Sequence, residues 1–200
     1  MDKAAMYDLS YGLFVLSARE GEKDNGCIIN TAIQVTTTPN RVTIAVNKDN
    51  YTHDMIARTG AFNVSMLSES APFAIFERFG FHSGRTEDKL AGFTFERAEN
   101  GIFYVPEHVA SFISCKVVST VDLGSHTLFL ADVTDGRKLS KEAPMTYAYY
   151  HANVKPRPEK KPAGGWRCSI CGYVYEGETL PDDFVCPICK HGAADFEKIV

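Results

Sequence analysis

Hydrophobic positions along the first 150 residues fall in short runs, some alternating and some continuous, separated by turn signals. Residues 12–18 (Gly-Leu-Phe-Val-Leu-Ser-Ala) read as a buried strand. The polar stretch 19–26 ends in Asn25-Gly26 and reads as the turn of a long hairpin, with 27–37 as its returning strand. After Pro39-Asn40, residues 41–46 predict another strand. A short helix over 55–59 follows, capped by Thr52 and closed by Gly60, and then an alternating strand over 61–67. Ser70, with Pro72 just inside, opens a second helix that Gly80 ends, and its Phe73, Phe76 and Phe79 read as core. Residues 81–92 form a long polar loop of the kind that often carries function. Strand pieces follow over 93–105, then a hairpin of 112–123 and 126–133 around Gly124-Ser125, and a last short strand from Asp135-Gly136. Met145 to Ala152 reads as a terminal helix or extended arm whose Tyr147, Tyr149 and Tyr150 cover a partner surface. Some eight strands with a few short helices predict a mainly β domain, with turns at barrel-like spacing.

The pattern breaks at Asn153. Residues 153–165 carry prolines and glycines with Lys155, Arg157, Lys160 and Lys161, and predict a solvated, fairly stiff linker reaching about 3.1 Å per residue. The expected organisation is therefore a domain over 1–152, a linker over 153–165 and a small domain over 166–200. Some 35 residues cannot bury a sufficient core without a staple. The cysteines supply one: Cys168-Ser-Ile-Cys171 and Cys186-Pro-Ile-Cys189 are two C-x-x-C pairs with fourteen residues between them. Two tight pairs suit one tetrahedral metal, and zinc and iron both accept four sulfurs. Gly172 allows a left-handed turn that brings amides towards sulfur, and Trp166, Tyr173, Tyr175, Phe184 and Phe196 are dense enough for a dry shell. The remaining cysteines, Cys27 and Cys115, lie in apolar strands and read as buried free thiols.

Charge and length change the picture only by exclusion. A net charge of −4 argues against a nucleic-acid partner. No apolar run reaches a membrane span, and the N-terminus lacks an apolar signal core, so the expected location is cytoplasmic. No G-x-G-x-x-G, Walker loop or H-E-x-x-H is present. The linker is positive and the tail after it holds six acidic against three basic residues, a pattern that serves either solubility alone or loose docking guided by charge.

Two stretches carry a resemblance. Trp166-Arg-Cys-Ser-Ile-Cys-Gly-Tyr-Val-Tyr175 with Leu180-Pro-Asp-Asp-Phe-Val-Cys-Pro-Ile-Cys189 resembles rubredoxin, a one-iron electron carrier. The loop between its cysteine pairs is short, as in the rubredoxin-like domains of rubrerythrins, and Lys190 stands where that family usually has a second glycine. Gly26-Cys-Ile-Ile-Asn-Thr31, Asn47-Lys-Asp-Asn-Tyr-Thr52, the loop through Ser83-Gly-Arg85 to Lys89, and Gly124-Ser-His-Thr-Leu-Phe-Leu-Ala-Asp-Val133 resemble the flavin reductase family. Together they resemble the arrangement of the high-molecular-weight rubredoxins.

The resemblance implies an FMN-binding split barrel, typically dimeric, fused to a domain holding one iron per chain through Cys168, Cys171, Cys186 and Cys189. It implies that Asn30 and Thr31 meet the flavin ring and that Asn47 and Thr52 serve the ribityl and phosphate. Lys89, with Ser83 and Arg85, neutralises phosphate or holds the loop over it, and His126 lies beside flavin or nicotinamide. The resemblance also implies that electrons pass from NAD(P)H through FMN to iron and on to a partner, a flavodiiron protein that reduces nitric oxide or oxygen; no side chain need act as nucleophile or acid. The alternative is a reductase that releases reduced flavin, with a structural zinc ribbon as a partner-binding module.

Overall fold

The computed structural model describes residues 2–156 and 165–199, and the chain divides into two compact units, Met1–Lys155 and Pro156–Val200. Eight of the expected linker positions, 157–164, lie outside the described residues.

The first unit is built on one seven-stranded antiparallel sheet. Its strands are β1 (Phe14–Glu20), β2 (Lys23–Ile29), β3 (Ile33–Thr37), β4 (Asn40–Asn47), β5 (Ala61–Leu67), β8 (Val109–Asp122) and β9 (His126–Lys138), in the order β2-β1-β5-β8-β9-β4-β3. A two-stranded piece, β6 (Glu96–Arg97) with β7 (Phe103–Tyr104), lies apart from it. Both faces of the central strands are covered, so apolar residues alternate between two cores rather than between core and water. On β1, Leu16 and Ala18 enter one core with Ile44, Val46, Phe62 and Phe129, sealed by Met55 and Ile56 of α1 (Tyr51–Thr59). Val15 enters the other with Phe76, Phe79, Phe103 and Met145. The mainly β class with a few short helices is thus what the chain forms.

Several local expectations are corrected. The β1–β2 turn is at Gly21-Glu22, not Asn25-Gly26: the register pairs Glu20 with Lys23, Gly21 sits at φ 58°, and Arg19 bonds the Gly21 carbonyl and Glu22. Asn25-Gly26 lies within β2 because the packing there needs a residue without a side chain. A Cβ on Gly26 would stand 3.0 Å from Phe103 and 3.1 Å from the Leu16 carbonyl. The strand expected over 27–37 is two strands, the second of which pairs with β4. Thr52 is not the helix cap. Asn50 holds that position and makes no side-chain bond, whereas Gly60 closes the helix as expected, at φ 68° with its amide on the Ile56 carbonyl. The second helix, α2 (Phe73–Phe76), continues as a π-turn to Phe81, one residue past Gly80. Asp135-Gly136 starts no new strand but lies inside β9, whose ladder with β8 absorbs two bulges. The terminal helix α3 (Tyr147–Tyr149) runs into a π-turn, and its tyrosines pack on their own unit's second core, with Tyr150 buried against Phe76.

The second unit has three short strands, β10 (Trp166–Cys168), β11 (Val174–Tyr175) and β12 (Phe196–Lys198), in the order β11-β10-β12. Its core is Cys168, Cys186 and Phe196, ringed by Trp166, Tyr173, Tyr175 and Phe184. Phe184 meets Tyr175 at 4.7 Å and Phe196 edge-on at 5.3 Å. No helix among the described residues is long and apolar enough to cross a membrane.

Candidate functional site

Two loops of the second unit present its sulfurs. Cys168 Sγ lies 3.5 Å from Cys189 Sγ and Cys171 Sγ 3.4 Å from Cys186 Sγ, and all four fall within 4.8 Å of one another. Four sulfurs at about 2.3 Å from one ion stand about 3.8 Å apart, so this cage fits a tetrahedral metal. The loops repeat each other. The Cys168 amide bonds the Tyr173 carbonyl and the Gly172 amide bonds the Cys168 carbonyl; the Cys186 amide bonds the His191 carbonyl and the Lys190 amide bonds the Cys186 carbonyl. In each loop the amide two residues beyond the second cysteine, from Tyr173 or His191, is turned towards that cysteine's sulfur. Burial pushes the Cys171 thiol up to about 11 and raises Cys189 as well. Burial acts on Cys186 in the same direction but is outweighed by the amides of Cys189 and Ile188, which hold that thiol below its ordinary value. A cage of low-solvent sulfurs served by amide donors favours thiolates on a metal.

In the first unit the expected cofactor residues form two neighbouring groups. Thr31 is locked to β4, its hydroxyl donating to the Ala45 carbonyl (2.8 Å) and accepting the Ala45 amide (3.1 Å). Asn30 precedes it, half-buried between β2 and β3. Asn47, the last residue of β4, pairs with His126, the first of β9, and its side chain accepts the Asp49 amide. The second group surrounds the start of α1. Thr52 is fully buried, its hydroxyl accepting from the Asn25 amide group at 3.0 Å. Ser83 Oγ accepts the Arg85 amide, and Arg85 donates to Asp54 at 2.7 Å with its guanidinium over the Tyr51 ring. Lys89 is only 7% exposed, and its ammonium donates to the carbonyls of Gly26 (2.9 Å) and Phe79 (3.3 Å). Burial lowers its pKa.

A flavin phosphate fits the second group in part. The first turn of α1 lacks a side-chain cap, so its amides suit an anion, and Arg85 stands close by. Lys89 is spent internally on the chain beneath the 81–92 loop. That loop also walls a cleft of about 690 Å³ shared with the β1–β2 turn, lined by Lys23, Asp24, Arg85, Asp88 and Phe95. Of the expected cofactor residues, Arg85 alone lines it.

Sequence reasoning missed three members of this cluster. Asn25 was hidden by its Asn-Gly turn signature. Asp54, which ties the helix to Arg85 and to His53 Nδ1 (3.1 Å), was signalled only by an acid in a helix's first turn. His53 reaches across to Thr127 Oγ1 at 2.8 Å, joining α1 to β9 one residue from His126. Cys27 and Cys115 are buried as expected, and burial raises both thiols, Cys115 to about 12.

Comparison with known proteins covers both units. Residues 6–156 match the family described as flavin reductase like domain, and residues 166–197 the rubrerythrin, rubredoxin-like domain. The chain is 35% identical to the high molecular weight rubredoxin of Moorella thermoacetica, over the full length of both proteins. It is 35% identical to the ferric-chelate reductase (NAD(P)H) of Archaeoglobus fulgidus, over 78% of this chain and 92% of that one. Among solved structures it is similar to the styrene monooxygenase flavin reductase of Pseudomonas putida S12, with a TM-score of 0.60 and 26% identity over 72% of this chain and 89% of that one.

Proposed function

The chain belongs to the flavin reductase-like family, as a flavin-dependent oxidoreductase fused to a rubredoxin-like domain, and from that premise we propose that it moves electrons from NAD(P)H to an acceptor protein, with FMN in the first unit and one iron in the second. When bound, FMN accepts a hydride's two electrons and releases them singly, and a four-thiolate iron takes one. The observation that carries this reading is a one-metal sulfur cage in the same chain as a flavin reductase barrel. The chain's own residues bind and orient. Arg85, Ser83 and the uncapped start of α1 hold the phosphate; Asn47 serves the ribityl end, and Thr52, buried and held by Asn25, braces the first turn of α1 instead of touching the cofactor. Asn30 and Thr31 face the ring, and His126 stands beside flavin or nicotinamide. Lys89 braces the loop from beneath rather than touching phosphate. A homodimer is supported by exposed apolar side chains on edge strand β3 (Ile33, Val35) and along the outer half of β8 (Val118, Val121). The proposed acceptor is a flavodiiron protein, to which a one-iron carrier delivers electrons one at a time.

Stopped-flow spectroscopy tests the route. With NAD(P)H, a flavin-free preparation leaves the iron oxidised, and added FMN restores its reduction. Iron that bleaches before flavin, or equally fast without FMN, overturns the route. Stoichiometric zinc in protein expressed with ample iron favours the other reading, a reductase with a structural zinc ribbon.

A further inference from the structure

The two metal-binding loops repeat one backbone hydrogen-bond pattern, and among the positions where their residues differ is the one that follows the second cysteine. The residue after each second cysteine donates its amide to the carbonyl of the first cysteine, Gly172 at 2.9 Å and Lys190 at 3.0 Å. That bond is made from a left-handed backbone in both, at φ 82° for Gly172 and 62° for Lys190. Glycine adopts this conformation freely, whereas a residue with a Cβ is strained there by about 1–2 kcal/mol. Strain retained beside a functional centre points to something the side chain supplies.

The side chain's surroundings say what that is. The unit from Trp166 onward carries six acidic residues and three basic ones, Arg167, Lys190 and Lys198. Arg167 faces Glu197 at 3.8 Å, and Lys198 lies over the Trp166 ring at 5.9 Å. Lys190 is exposed and, among the described residues, stands in no ion pair or ring contact. It is bonded directly to Cys189, one of the two sulfur donors only partly covered by protein. An iron held by four thiolates carries a net charge of −1 when ferric and −2 when ferrous. A neighbouring cation therefore stabilises the reduced form more than the oxidised one.

We propose that Lys190 is a potential-setting residue: its charge beside Cys189 makes the iron easier to reduce than the Gly172-like alternative would, within an otherwise acidic unit. The proposal rests on the iron reading above. One electron enters, and no bond is made or broken.

The test is a redox titration of the full-length, iron-loaded chain, with the ferric signal followed by electron paramagnetic resonance so that flavin does not interfere. Lys190→Gln keeps the backbone strain and removes the charge. At a fixed poise it is expected to lower the ferrous-to-ferric ratio about threefold, about 28 mV at 59 mV per tenfold for one electron. Lys190→Arg is expected to keep the parent potential. Lys190→Gly is expected to shift like Lys190→Gln while raising the thermal midpoint of this unit, since it removes the strain. The downward shift should shrink as ionic strength rises. A Lys190→Gln potential equal to the parent's overturns the proposal, and so does a shift in Lys190→Gly alone, which would belong to the backbone. Zinc in place of iron overturns the iron reading and this proposal together; an iron centre with an unmoved potential overturns only this one.

Discussion

Lys89 shows how one residue's role follows from where its atoms end up. An ammonium in a site 7% exposed is tolerated because two carbonyls, of Gly26 and Phe79, accept from it. Lys89→Met keeps the length and removes the donor, leaving both carbonyls unpaired. The expected loss is about 2 kcal/mol of unfolding free energy, read from urea denaturation of the flavin-free chain. Asp54 offers a pH signature. The Arg85 hydrogen bond holds its carboxyl below the ordinary 3.8. A depressed folded value means the pairing stabilises fully above 3.8 and is lost as pH falls through the lower folded value. Asp54→Asn is therefore expected to be slightly less stable than the parent near neutrality, by less than about 1 kcal/mol for so exposed a pair. The gap should close in acid, which thermal midpoints along a pH series would show.

Among the elements, the 81–92 loop and the start of α1 act as one piece. Gly84 presses on Asn25 so closely that a Cβ would lie 2.0 Å from the Asn25 side-chain oxygen, and the same Asn25 amide holds Thr52. Gly84→Ala should displace Asn25, break its bond to Thr52 and lift the loop. Under the proposed site, FMN affinity is expected to fall about tenfold, about 1.4 kcal/mol, measured by fluorescence titration. Gly60→Ala is the control. It adds the same methyl to a left-handed helix end with nothing within 4 Å, so it should cost about 1 kcal/mol of stability with FMN affinity unchanged.

At the scale of the molecule, the two units draw stability from different sources. The sheet of the first buries large apolar side chains on both faces, including Phe62, Phe103, Phe112 and Phe129. The second has only a few aromatics around four sulfurs. Removing the metal with a strong chelator is expected to unfold 165–199 and leave 2–156 folded. The chain's single tryptophan, Trp166, lies in the second unit and reports it alone by fluorescence, while far-ultraviolet circular dichroism follows the barrel. Returning iron should restore the Trp166 signal. Cutting the chain between the units should slow iron reduction without stopping it, because a tether acts only through effective concentration.

What the sequence by itself determined is what local chemistry encodes. Two C-x-x-C loops each bring two sulfurs together across two residues, so their spacing alone foretold a sulfur cage, and apolar runs bounded by turn signals placed β1, β4, β5 and the β8–β9 hairpin. Gly60 was legible as a helix end because the left-handed turn it makes is a property of that residue. The tertiary structure decided everything that depended on distant partners. Asn25-Gly26 has the signature of a turn, but Phe103, from a strand far along the chain, packs where a side chain on residue 26 would go and keeps the pair inside β2. Thr52 looked like a cap until Asn25, 27 residues away, claimed its hydroxyl. Lys89 read as neutralising phosphate or holding the loop over it, and only the fold shows its ammonium drawn to a carbonyl 63 residues away. Whether a polar group faces water, a ligand or its own chain is set by which long-range partner reaches it, and no run of neighbouring residues records that.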